Sequence, residues 1–147
     1  MRVASAQVAV EGRRVGAIGR GLLALVGAER GDGPQDVEFI ARRIAGMRVF
    51  ERESAPEAGV VEAGGAVLVV SQFTLLAEMR RGRRPDFLRA AGRDEARPAV
   101  EAVVAALRAQ GVKVETGVFG AYMQVASVND GPFTILLDSR DGERPPP

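Results

Sequence analysis

Early in the chain apolar and polar positions alternate: Val8 and Val10 precede Glu11-Gly12, and Val15 and Ile18 follow it. Alternation puts every second side chain on one face of a pleated strand, and Glu11-Gly12 is a turn signal, so this stretch predicts a hairpin. The unbroken run Leu22 to Val26 predicts a buried strand next to it, and the chain is expected to open with antiparallel sheet. Between Asp32 and Gly46 the period changes. Val37, Ile40, Ala41 and Ile44 fall on one face at helical spacing, with Pro34 near the start and Gly46 at the end. Met47 to Phe50 predicts a short strand, residues 51–65 with Pro56 and three glycines predict a loop, and Ala66 to Leu76 carries the strongest strand pattern. Residues 77–95 are polar and rich in arginine. Val100, Val103, Val104 and Leu107 then repeat the helical face before Gly111, a C-cap. Strands are predicted around Val112 and Val114, over Tyr122 to Val128 and over Phe133 to Leu137, the last two joined by Asn129-Asp130-Gly131-Pro132. The tail from Ser139 to Pro147 ends in three prolines and is expected to be disordered. These elements predict a single α+β domain over residues 1–138, with two main helices and an antiparallel, partly barrel-like sheet.

Composition narrows the chemistry. At 147 residues and 46% hydrophobic, the chain can bury one sizeable core. Its longest apolar runs are about a quarter of the ~20 residues of a membrane-spanning helix. The first residues, with Glu11 and no apolar core, do not read as a secretory signal, and a cytoplasmic location is expected. The chain contains no cysteine and no histidine. Disulfides, thiolate nucleophiles, Cys or His metal sites and every imidazole relay are excluded. Carboxylates, hydroxyls, backbone amides or the substrate itself must handle protons and charge. The formal charge of +1 excludes a strongly basic nucleic-acid coat and leaves room for a local basic patch.

Three features stand out. Ser71, Gln72 and Thr74 interrupt an apolar strand, and such groups need partners, a sheet end or a ligand, or they mark a strand emerging into solvent. Gly131-Pro132-Phe133-Thr134 combines a residue free to adopt unusual backbone angles with one that lacks an N–H, as a tight turn also would. Arg80, Arg81, Arg83 and Arg84 surround Gly82, a cluster that can neutralise phosphates or form a solvated loop. Gly16, Gly19 and Gly21 are too scattered for a dinucleotide fingerprint, there is no P-loop, and the acidic residues do not recur at metal-ligand spacing. Neither a metal nor a cofactor is expected.

Taken together, Ser71-Gln72-Phe73-Thr74-Leu75, GRRP at Gly82 to Pro85, VKVETGVFGAYMQV and NDGPFT at Asn129 to Thr134 closely resemble the D-aminoacyl-tRNA deacylases, formerly D-tyrosyl-tRNA deacylases. GLLALVG and MRVF belong to the same pattern, and only the tail lies outside it. The resemblance implies a homodimer that hydrolyses the ester between a D-amino acid and the terminal adenosine of tRNA, with glycyl-tRNA as a further substrate. It implies active sites at the dimer interface, where the SQFT segment of one subunit meets a cis Gly131-Pro132 of the other that excludes L-amino acids. The residues it points to are Ser71, Gln72, Phe73 and Thr74 for catalysis and Gly131, Pro132 and Thr134 for substrate. Phe119 and Met123 are the implied walls of the adenosine pocket. Arg80, Arg81, Arg83 and Arg84 are expected on the tRNA acceptor stem, and Arg2 matches an arginine that steadies the Gly-Pro loop. Two departures are visible: the chain enters almost directly on Arg2-Val3, where the family has a further apolar strand, and Phe133 replaces a smaller apolar residue. A catalytically silent RNA-binding module with the same fold is the alternative expectation.

Overall fold

The computed structural model describes residues 1–52, 55–79 and 83–142. The hairpin forms as expected: β1 (Arg2–Val10) and β2 (Arg13–Ile18) pair antiparallel around Glu11 and Gly12, whose φ angles of 50° and 75° suit a tight turn matched to strand twist. β3 (Gly21–Val26) leads into α1 (Pro34–Gly46), and β6 (Ala66–Ser71) leads to α2 (Arg93–Ala109) and β7 (Lys113–Thr116). Between them β4 (Phe50–Arg52) and β5 (Ala55–Ala58) form a separate two-stranded sheet, and β8 (Gln124–Asn129) returns to pair with β1.

The main sheet runs β2-β1-β3-β6-β7, with β8 on β1. It is mixed rather than wholly antiparallel, because β3, β6 and β7 are parallel neighbours. Each parallel step is bridged by a helix, which is how a chain returns to lay a strand in the same direction. The continuous apolar runs of β3 and β6 follow from burial on both faces. Leu22, Val67 and Val69 face the helices and pack with Ala41, Ile44, Val103 and Leu107. Leu23, Leu68 and Val70 face the other way, onto Val3, Ala6, Val8 and Ile18. The sheet curls towards closure where β2 meets β7: a Cβ on Gly16 would lie 2.5 Å from the Thr116 carbonyl oxygen, so glycine is required for that approach.

Several boundaries differ from the sequence pattern, and the strand predicted over Tyr122 to Val128 runs instead over Gln124–Asn129. Met47 to Val49 is not strand, although Val49 is buried; pairing starts at Phe50, and β5 occupies part of the predicted loop. β6 stops at Ser71 because its partner β3 stops at Val26, the residue registered with it; Phe73–Leu76 form a 3-10 turn instead. Phe133 to Leu137 forms no strand among the described residues, although the Phe133 carbonyl accepts from the Arg2 amide of β1 at 3.0 Å. Ser139–Gly142 form a 3-10 turn where disorder was expected, and residues 143–147 of that tail lie outside the described residues. Among the described residues no helix is long and apolar enough to cross a membrane.

Candidate active site

The first half of the site is built where β6 leaves the sheet. The Gln72 amide donates to the Val26 carbonyl at 2.8 Å, continuing the ladder one step beyond the last pair, and the chain then turns. The turn can sit there because Gly27 lies beneath it. A Cβ on Gly27 would stand 2.9 Å from the Gln72 carbonyl oxygen and 2.5 Å from Leu76 Cδ2, contacts no other residue could accept without displacing the turn. Phe73 and Thr74 are exposed, and Phe73 packs edge-on against Phe87 with ring centroids 4.9 Å apart. The Gln72 Nε2 donates to Thr74 Oγ1. As the first residues of the turn, Phe73 and Thr74 have amides with no carbonyl partner inside it.

The second half is the turn after β8. Gly131-Pro132 is a cis peptide, as expected, and Gly131 has φ of 138°, a backbone region suited to glycine. Arg2 braces this turn. Its Nε donates to the Asp130 carbonyl at 3.0 Å and pairs with the Asp130 carboxylate at 3.4 Å, and its Nη1 donates to the Val49 carbonyl at 2.6 Å. The Arg2 guanidinium also lies 5.2 Å from the centre of the Phe133 ring. Asn129 spans the turn from inside: its Oδ1 accepts from the Phe133 amide at 2.8 Å and its Nδ2 donates to Thr134 Oγ1 at 2.9 Å. The sequence places Asn129 in NDGPFT and Gly27 in GLLALVG but gives neither a role beyond the turn and the pattern. The signal for Gly27 was its place at the end of GLLALVG, directly after a buried strand.

Two cavities flank these turns. The larger, about 560 Å³, is lined by Val26 and Gly27, by Leu75 and Leu76 of the first turn, and by Phe133 and Thr134 of the second. The smaller, about 420 Å³, brings Ser71 together with Thr116, Gly117 and Phe119 under Arg97 and Arg108 of α2. Phe119 therefore shares a cavity with Ser71. Met123 is one layer away, packed on Gly117, where a Cβ would meet its sulfur at 2.7 Å. Among the described residues no hydrogen bond joins Ser71, Gln72 or Thr74 to Gly131, Pro132 or Thr134. Arg83 and Arg84 are exposed, and Arg80 and Arg81 lie outside the described residues.

Neither Ser71 to Leu76 nor Gly131 to Thr134 contains a carboxylate, amine, thiol or imidazole. Titratable groups line the larger cavity instead, among them Glu29, Asp32, Asp36, Asp138 and Arg140. Glu29 is held below the usual carboxylate range, chiefly by its hydrogen bonds from Arg89 at 3.1 and 2.7 Å, and it also pairs with Arg140. Asp36 is lowered by the Gly33 amide and Asp138 by the Arg140 amide, whereas burial raises Asp32.

Beside this geometry stand the similarities to known proteins. Residues 1–138 match the family described as D-Tyr-tRNA(Tyr) deacylase. The D-aminoacyl-tRNA deacylase of Heliobacterium modesticaldum is 53% identical over 143 residues, covering 97% of this chain and 95% of the relative. That of Anaeromyxobacter dehalogenans is 54% identical over 140 residues, covering 95% and 94%. Among solved structures, the c-Myc DNA Unwinding Element Binding Protein superposes with a TM-score of 0.84 at 38% identity, covering 91% of this chain and 92% of its own.

Proposed function

The chain belongs to the D-Tyr-tRNA(Tyr) deacylase family, and from that premise we propose that it hydrolyses the ester of D-aminoacyl-tRNA, releasing the free D-amino acid and tRNA. The observation that carries the mechanism is the exposed turn Phe73–Leu76, whose leading amides are free of the sheet. An acyl ester under attack develops negative charge on its carbonyl oxygen, and preorganised N–H donors are what stabilise it. The Phe73 and Thr74 amides play that part, with Ser71 and Gln72 framing the approach. No side chain of the turn is a base, so the terminal adenosine's own 2′-hydroxyl helps activate the attacking water.

The terminal adenosine occupies the cavity of Ser71 and Phe119, with Met123 behind Gly117. Gly131 and Pro132 enter the pocket of a second copy and leave no room for the side chain of an L-amino acid, while Thr134 contacts the substrate. A D-amino acid points its side chain outward, so many are accepted, and glycine, having none, is a further substrate. A second copy is supported by the outer edge of β8, which no strand pairs with among the described residues, and by the apolar residues around it: Tyr122 and Leu136 are 90% and 84% exposed, and Val128 and Ile135 are exposed too. Arg80, Arg81, Arg83 and Arg84 meet acceptor-stem phosphates, which adds affinity without reading bases. The reaction is placed in the cytoplasm, where translation supplies charged tRNA.

Matched D- and L-tyrosyl-tRNA provide the test. Release of D-tyrosine with the L-ester left intact is expected; tRNA binding without release would establish the silent RNA-binding module instead.

A further inference from the structure

Asn129 ends β8, and its amide is inserted between two groups of the following turn. The two ends of a side-chain amide have nearly the same shape, but their orientation here is forced. The Phe133 backbone N–H can only donate, so the atom 2.8 Å from it is the oxygen. The atom 2.9 Å from Thr134 Oγ1 is then the NH2, which can only donate. Thr134 therefore accepts from Asn129, and its own proton has no acceptor in the turn among the described residues. The Thr134 side chain is exposed and lines the larger cavity.

From this polarity we infer that Asn129 is a positioning residue that commits the Thr134 hydroxyl to act as a hydrogen-bond donor, directed at an acceptor oxygen of the bound aminoacyl-adenosine end. The inference rests on the reading that Thr134 faces substrate, and adds which way its hydrogen bond runs. It also explains why an amide and not a carboxylate stands at this position. An ionised carboxylate would still accept from Phe133, but its other oxygen would accept from Thr134 and draw the hydroxyl proton inward.

Asn129→Asp makes the distinction measurable. Ionised, the new side chain reverses the polarity. Protonated, it again offers one acceptor and one donor, and the native arrangement returns. Thr134→Val removes the hydroxyl outright, and Asn129→Leu removes both hydrogen bonds. Among the described residues Arg2 and Asp130 contact the turn, and Glu29, Asp32, Asp36, Asp138, Arg140 and Asp141 line the cavity that Thr134 shares; all are present in every variant, so their effect is carried in the comparison. Deacylation of D-tyrosyl-tRNA is followed from about pH 4 to 7, spanning an ordinary carboxyl titration, with kcat and KM resolved and folding checked by circular dichroism.

At neutral pH, Asn129→Asp is expected to lower kcat about tenfold, the weight of one hydrogen bond. Thr134→Val should match it, and the double variant should lose no more. As pH falls, activity of Asn129→Asp relative to the unsubstituted enzyme should recover, while that of Asn129→Leu should not. A pH-independent ratio for Asn129→Asp, or losses that multiply in the double variant, would overturn the inference. If Asn129→Asp does not fold, Thr134→Val decides alone: kcat equal to that of the unsubstituted enzyme overturns the inference, and a tenfold fall supports it. An unsubstituted enzyme inactive on D-tyrosyl-tRNA would instead overturn the proposed function on which the inference rests.

Discussion

A threonine hydroxyl attacks an ester only when a base removes its proton, and the neighbour of Thr74 is the Gln72 NH2, which donates to the Thr74 oxygen and cannot take a proton from it. That arrangement orients Thr74 without activating it. Substrate ending in 2′-deoxyadenosine should therefore bind but react far more slowly, and Thr74→Ala should keep measurable deacylation. Single-turnover kinetics with the two substrates, and mass spectrometry of quenched enzyme, check both; an acyl group trapped on Thr74 would establish the covalent route. At this scale the polar SQFT residues and the Gly131-Pro132 pair drew notice by their residue types, and the resemblance proposed them as a site. The roles of Gly27 and Asn129 were not legible, since a glycine's close approach and an amide's two partners exist only once distant segments are superposed.

At the scale of elements, the C-terminal 3-10 turn at Ser139–Gly142 is tied to the segment after β3 by charge. Arg140 and Arg89 converge on Glu29, Arg89 also reaches Glu78 at 3.5 Å, and the Asp36 side chain accepts from the Gly33 amide at 2.8 Å. Glu29, Asp36 and Asp138 have folded-state pKa values below their ordinary ones, so each contributes stability above its unfolded pKa that is lost as pH falls. Asp32, raised by burial, acts in the opposite sense: its contribution is present when protonated and lost as pH rises. Three against one, the balance favours acid destabilisation. Urea unfolding between about pH 5 and 3 should move to lower midpoints with falling pH. Glu29→Gln should flatten that slope while lowering stability at neutral pH. A slope unchanged by the substitution would remove Glu29 from the account.

For the whole molecule, the exposed apolar residues at β8 and the chain after it need cover, and a strand edge beside them that is unpaired among the described residues invites a second copy. Sedimentation equilibrium should give a dimer. Val128→Arg combined with Leu136→Arg should yield folded monomers with deacylation abolished; a fully active monomer would mean that each chain holds a complete site. Binding of tRNA should weaken with salt, and replacing Arg83 and Arg84 together should reduce the slope of log affinity against log salt by about two units if each neutralises one phosphate. An unchanged slope assigns the pair to a solvated loop.

Periodicity alone determined the hairpin, both helices and the buried strands, because alternation and helical spacing are local consequences of which side chains must leave water. The absence of histidine and cysteine likewise left carboxylates, hydroxyls, backbone amides or the substrate to handle protons and charge. Strand direction, the stop at Ser71 and the absence of a strand over Phe133 to Leu137 among the described residues were decided only by tertiary structure. The same apolar run Ala66 to Leu76 would serve as strand throughout, but hydrogen bonding ends where the neighbouring strand ends at Val26. A side-chain pattern records burial, whereas pairing depends on which backbone edge is still free when the chain arrives, and that edge is created by residues far away in sequence.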